Sequence, residues 1–546
     1  MRCSLALFLA LIFQAACSAE LPADRPAEAD AARLTVILIG GAVYSGEDKE
    51  PVFADVGLTG DRISAIGDLS DYEADLRLDV GGLAVVPGFI DIHNHAIRTN
   101  PARSGIFRWP DAENMIRQGV TTAIGGPDGG SPLPIEDDFA ELEAAPSTVN
   151  FGTFVGHGSI RELIVGEDDR PATAIEMQRM RNEVEKAMKS GAFGLSSGLL
   201  YTPGNFAPTE EVIELAKVAG RYGGIYISHM RNEGRGVLDS IAETIRIGEE
   251  GELPTQITHF KVMGAPMWGK SVDAIAMIDA AIERGVDVTA DQYPYAASST
   301  GLTATFPRWS RDGDAATRNA RLKDPIQRKK IREAIISNMI NDRGGSDPAT
   351  VALANCAWDP TLNGFNLAEV LKQRSIEVTI ENAAELVMDL QMAGGCSAVY
   401  HAMSLQDVER IMQHPKTMVA SDGGIIVPGV GAPHPRNYGA FARILGHYVR
   451  ERELLSFQTA IHKMTRMPAD RINLNDRGRI EVGAYADIAV LDPETVTDRA
   501  TFKDPHQYAE GIHHVFVNGK AVLLNKEMTG RRPGRILRSQ SFNSGH

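Results

Sequence analysis

A chain of 546 residues has room for about three domains, or for one large barrel with a domain attached. Hydrophobic residues make up 43%, enough for a sizeable core, and 23% charged residues is ordinary for a soluble globular protein. The formal net charge of −16 argues against nucleic acid or an anionic membrane surface as the main partner, and leaves open a small substrate held in a local basic pocket.

The first segment reads as an address rather than as fold. Arg2 gives a small positive region and Leu5 to Phe13 an apolar one, too short for the roughly 20 residues that span a bilayer. Gln14-Ala15-Ala16-Cys17 looks like a bacterial lipobox, with Gln14 where leucine is usual. Residues 1–19 are therefore expected to be an export signal, with Cys17 as a possible lipid anchor and a plain secretory signal cleaved within Ala15 to Ala19 as the alternative. The expected location is periplasmic, free or anchored. The other cysteines past this segment, Cys356 and Cys396, can pair in an oxidising compartment, and no CxxC zinc module is present.

After a short linker over residues 20–33 the text turns β-like. Thr35 to Gly41 reads as a strand and turn, and Val56 to Gly67 as two short strands around a Gly-Asp turn. A matching piece lies near the other end, Gly483 to Asp492 and His514 to Lys520, where Asn518-Gly519 signals a hairpin. Residues 34–88 and 470–530 are expected to form one small β-sandwich from both ends of the chain.

Val85 to Ile92 is an apolar run that reads as a buried strand, followed by His93-Asn94-His95. Residues i and i+2 of a strand face one side, so the two imidazoles can aim at one point, an arrangement that suits a divalent metal such as zinc. Beyond it, apolar strands alternate with helical patterns such as Thr209 to Tyr222 and Ser271 to Arg284, the mark of parallel βα units. Eight candidate strands end near His95, Asp128, His157, Ser197, His229, His259, Tyr293 and Asp422. Eight such units close into a (β/α)8 TIM-like barrel, expected over residues 89–469, whose chemistry sits at the C-terminal strand ends. The connection from about 297 to 416 is too long for a loop and is expected to hold an inserted subdomain or lid.

Three strand ends extend the constellation. Ile225 to His229 and Thr255 to His259 each finish on histidine, Lys261 follows His259 by two residues, and Thr417 to Asp422 ends on an acid before two glycines. Four histidines and Asp422 at strand ends are a strong signal for one functional, metal-binding site at the barrel mouth.

In this order His93-Asn94-His95, His229, His259 and Asp422 resemble the amidohydrolase superfamily. Gly191 to Leu199, Gly224 to Glu233, His259-Phe260-Lys261, Asp291 to Tyr295, His434 to Gly439, Ala486 to Val490 and Val517 to Gly519 are similar to the N-acyl-D-amino-acid deacylases (D-aminoacylases) within it. The resemblance covers about residues 34–525. It implies one or two zinc ions, an N-acyl-D-amino acid or short peptide with a C-terminal D-residue as substrate, and Asp422 as the group that takes the water proton. It also implies that Lys261, Tyr293, Ser299 and Arg436 hold the substrate α-carboxylate, with Tyr295 and Ser298 as near rivals. Those deacylases usually carry a zinc-binding cysteine after the second strand. Here Asp128 falls in its place, and its carboxylate is read as the replacing ligand beside His93, His95, His229 and His259. The fourth strand has no lysine to be carboxylated. Arg308 is a candidate to read an acidic side chain. His157 and Arg161, after the third strand, receive no role. Two alternatives stand beside this: a hydantoinase- or dihydroorotase-like hydrolase of cyclic amides, and a metal-free barrel serving as a scaffold. Oligomeric state is not legible.

Overall fold

The computed structural model describes residues 33–98 and 104–543, so the expected export signal and Cys17 lie outside the described residues. Eight short strands form the barrel: Phe89–Asp91, Val120–Gly125, Asn150–Thr153 resuming at Val155–Gly156, Gly194–Gly198, Ile225–His229, Thr255–Ile257, Val288–Gln292 and Thr417–Val419. Successive strands pair in parallel, apart from a break inside the third where the fully buried Phe154 bonds back to Gly125. The ring closes between eighth and first strands through a parallel bridge, Asn94 to Gly423, and through Asp422 N–H donating to the His93 carbonyl at 3.1 Å. Asp91 fixes the same seam, accepting from the Ser421 N–H at 2.9 Å and from its hydroxyl.

Outer helices follow from their apolar spacing. Thr209–Arg221 buries Val212, Ile213, Leu215, Ala216, Val218 and Ala219 along one stripe and carries Glu210 and Glu211 in its first turn, where the helix dipole favours acids. Val237–Gly251 follows the fifth strand and packs against Thr209–Arg221, and Ser271–Glu283 follows the sixth and packs against Val237–Gly251. Both helical stretches read from sequence end within one residue of the observed elements.

The run Val85 to Ile92 is not one strand. Ala84–Pro87 pairs with Ile488–Leu491 in the terminal sheet, and Phe89–Asp91 pairs with the second barrel strand. Gly88 is the pivot: a Cβ there would collide with the Thr121 side chain, and Pro87 has no N–H to continue a ladder. Continuous hydrophobicity hid this break because both halves are buried.

Both ends of the chain build one nine-stranded sheet. Leu34–Val43 is irregular between Leu38 and Gly41, pairs with Ala74–Asp79 over its first half and with Ala84–Val85 at its end, and folds the sheet over on itself. The expected two layers are thus one folded sheet enclosing Leu38, Val56, Ile63, Val85, Ile488 and Phe516, all fully buried. Over residues 470–530 its strands begin only at Ile488. The Asn518-Gly519 hairpin forms with both residues at positive φ, as a two-residue turn of this hand requires. Asp487 fastens sheet to barrel: it accepts from the Asn518 N–H at 2.7 Å, from Asn150 Nδ2 of the third barrel strand at 3.0 Å, and from the buried Arg477.

Between the seventh and eighth strands the chain builds a subdomain. Ser298–Gly301, Ser397–Tyr400 and Val351–Asn355 form an antiparallel sheet, with the helices Pro325–Asp342 and Ile380–Ala393 packed together. Cys356 and Cys396 are joined in a disulfide. Among the described residues no helix is long and apolar enough to cross a membrane.

Candidate metal centre

The residues that end the strands meet at the C-terminal mouth of the barrel. His93 Nε2 lies 3.5 Å from Asp128 Oδ1 and 3.6 Å from Asp422 Oδ1, and His95 Nε2 lies 3.1 Å from that same Asp422 oxygen. On the other side His259 Nε2 is 3.3 Å from Asp128 Oδ1 and 2.7 Å from His229 Nδ1. Two donor sets result: His93, His95, Asp128 and Asp422, and Asp128, His229 and His259, each with its ligand atoms within 4.8 Å of one another. Asp128 belongs to both. Asp128, His259 and Asp422 sit at φ of 56°, 36° and 48°, a left-handed backbone seldom used outside glycine. Strain of this kind persists where the surroundings over-determine it.

This set fits a cation. Among the described residues both ring nitrogens of His93, Nε2 of His229 and Oδ1 of Asp128 are buried with no hydrogen-bond partner. Nitrogen and carboxylate oxygen of this kind are ordinary zinc ligands. Burial depresses His93 to about 3, so its ring is neutral and free to ligate. Burial and Lys261 push His259 down, yet Glu233, Asp128 and Asp422 outweigh them and hold it near 10. Asp128 would be raised by burial, but the surrounding His93, His259 and His229 bring it well below the usual carboxylate range. Asp422 is also pulled far down, against burial, chiefly by Arg436. A cation would supply the positive charge that these carboxylates favour at this point.

Of the expected substrate residues Lys261, Ser299 and Arg436 line the cavity, while Tyr293 lies behind it. Lys261 is 4% exposed and donates from Nζ to Glu233 Oε1 at 2.5 Å and to the His259 carbonyl at 2.8 Å. Arg436 opens a helix, Arg436–Arg443, and donates to Asp422 Oδ2 at 2.7 Å. Its guanidinium lies 4.8 Å from the centre of the Tyr293 ring, whose hydroxyl is buried and unpartnered. Arg436 Nη2 donates to the Ser299 carbonyl at 3.5 Å. Ser298 and Ser299 both line the cavity, whereas Tyr295 points its hydroxyl to Asp498. Arg308 does not reach this cavity: it is half exposed and paired with Asp169. His157 turns away too, bonding Glu211 at 2.9 Å beside Arg161 in a fully buried cluster.

Sequence spacing missed two residues here. Glu233 is 4% exposed, and its Oε1 lies 3.1 Å from His259 Nδ1. It sits in a loop four residues after His229, so no helical period flags it. Asp291 accepts from the His259 N–H at 2.7 Å and lies 3.7 Å from His93 Nδ1; burial raises its carboxyl to about 7. Its only signal is its place at the end of the seventh strand. The cavity in front of these groups holds about 580 Å³, room for an acylated amino acid.

The sequence profile of the Amidohydrolase family matches residues 78–315 and 366–523. The D-aminoacylase of Alcaligenes xylosoxydans xylosoxydans is 37% identical over 533 residues, covering 93% of this chain and 99% of that protein. A solved D-aminoacylase with a binuclear metal centre superposes with a TM-score of 0.78 at 36% identity, over 92% of this chain and 100% of the other. The N-acyl-D-glutamate deacylase of Bordetella bronchiseptica, solved with zinc and a phosphonate inhibitor, gives 0.78 at 32% identity, over 93% and 100%. With its barrel, its folded sheet and its histidine-aspartate cluster, the chain belongs to the amidohydrolase family, in the branch of the D-aminoacylases.

Proposed function

We propose that the protein is a zinc-dependent hydrolase that removes the acyl group from N-acyl-D-amino acids. One observation carries this: four imidazoles and two carboxylates converge on the floor of a cavity whose wall bears Lys261 and Arg436. His229, His259 and Asp128 would hold one ion, and His93 and His95, with Asp128 shared, a second. Bound there, zinc polarises the amide carbonyl and lowers the pKa of a water.

The protein groups supply the rest. Asp422 is ionised, with Oδ2 engaged by Arg436 and Oδ1 facing His93 and His95, so Oδ1 accepts the proton of the attacking water and returns it to the leaving amine nitrogen. Arg436, Lys261, the Tyr293 hydroxyl and Ser299 bind the α-carboxylate by charge-assisted hydrogen bonds. The absence of a lysine from the fourth strand and the cations suited to a free α-carboxylate favour a linear amide over a cyclic one. A scaffold role is disfavoured by unpartnered buried donors that are costly unless a ligand meets them. We also propose export, on the N-terminal pattern and on the Cys356–Cys396 disulfide, a bond that persists in oxidising compartments. A lipid on Cys17 is tested by the mass of the mature N-terminus.

The test of the activity is hydrolysis of N-acetyl-D- against N-acetyl-L-amino acids by zinc-loaded protein. Asp422→Asn should keep its fold and lose activity by about three orders of magnitude. Turnover within tenfold of wild type would remove Asp422 from the mechanism. Asp128→Ala should lower zinc content; unchanged content would remove Asp128 from the ligands.

A further inference from the structure

The charges around the active-site cavity do not all cancel in pairs. Lys261 is matched by Glu233 and Arg436 by Asp422. Arg343 also lines this cavity, is 5% exposed, and among the described residues has no carboxylate within ion-pair distance. Its Nη1 donates to the thioether sulfur of Met263 at 3.3 Å, its Nε is buried without a partner among the described residues, and the centre of the Tyr400 ring lies 5.7 Å from its guanidinium. A thioether is a weak acceptor and a ring at that distance a weak counter-charge, so neither replaces the water that a guanidinium loses on burial.

A second observation points the same way. Arg343 is shared with a further cavity of about 340 Å³, which Arg311 also lines. Among the described residues the Arg311 guanidinium donates to the Leu200 carbonyl and to no carboxylate; its Nε is buried and unpartnered, and it is lowered to about 10 by burial and by Arg343 and Arg308. Asn205, 4% exposed on the same wall, has neither side-chain atom satisfied. The side of the active-site cavity at Arg343 is therefore electropositive and short of acceptors, as a site awaiting an anion is.

We propose that the substrates carry a second carboxylate, on an acidic D-side chain, and that Arg343 receives it. This rests on the deacylase reading above, which assigns the α-carboxylate to Lys261, Tyr293, Ser299 and Arg436. A planar guanidinium gives a carboxylate two parallel hydrogen bonds and gives a neutral amide of the same shape less. Arg343 thus acts as a specificity residue, felt in KM more than in kcat.

The experiment compares N-acetyl-D-glutamate with its neutral isostere N-acetyl-D-glutamine on zinc-loaded wild type, R343M and R343K. Wild type should prefer the glutamate by at least about tenfold in kcat/KM. R343M should lose about 10- to 100-fold on the glutamate, mainly through KM, and less than about threefold on the glutamine, with R343K between. Should R343M fail to fold, the wild-type ratio alone decides. Equal rates on the two compounds, or equal losses on both in R343M, overturn the proposal and leave the deacylase reading intact. If neither compound nor any other N-acetyl-D-amino acid is hydrolysed, both readings fall together.

Discussion

Replacing Glu233 by glutamine removes one negative charge from beneath the metal centre while keeping the shape of the side chain. In the structure Oε1 is shared between Lys261 Nζ at 2.5 Å and His259 Nδ1 at 3.1 Å, and Oε2 lies 3.7 Å from His229 Nε2. Burial alone would raise this carboxyl, but Lys261 first, then His229 and His259, hold it well below its ordinary value. The variant leaves Lys261, 4% exposed, with no full counter-charge, and breaking a buried pair in this way costs about 3–5 kcal/mol. It also withdraws the carboxylate that sets the His259 ring, and groups behind a metal ligand are worth about 10- to 100-fold in metal affinity. Denaturant unfolding measures the first effect on metal-free protein, and competition with a chromophoric zinc chelator measures the second. Zinc affinity equal to wild type would refute the role given to Glu233, whatever the unfolding curve shows.

Other perturbations follow from the same contacts. A Cβ at Gly198 would press into the Asp128 carbonyl oxygen, so Gly198→Ala should displace the turn that presents Asp128, cost about 1–3 kcal/mol and lower zinc content, read by metal analysis. Cys356→Ser opens a 40-residue loop, worth about 4 kcal/mol by loop-closure entropy; since Asn355 and Ser397 flank the disulfide and line the cavity, KM should rise as well. Lys463 is buried and lowered to about 8, with desolvation as the cause. Its native value lies below the unfolded 10.5, so between those values the unfolded chain holds more protons and stability rises with pH. Unfolding of wild type relative to Lys463→Met should accordingly improve by about 3 kcal/mol from pH 7.5 to 10.5, and a flat difference would contradict the burial cost.

Much of the barrel and its metal-capable residues could be read without coordinates because the signals are local. A histidine or aspartate after an apolar run marks a strand end, and eight such runs with helical text between them impose parallel units. His93, His95, His229, His259 and Asp422 were legible on that ground, as was the hairpin at Asn518-Gly519. The break at Gly88 was not, because hydrophobicity reports burial and not which sheet a residue joins. Glu233, Asp291 and Arg343 were invisible for another reason. Their meaning lies in what they face: a charged side chain in a loop is usually solvated, and only the packing of distant segments shows that one is buried against a histidine and another is left without a partner. The order of residues along the chain fixed which donors would be available. The three-dimensional arrangement decided how their charges pair, because Coulomb and desolvation energies depend on distances across the barrel that separation in sequence does not encode.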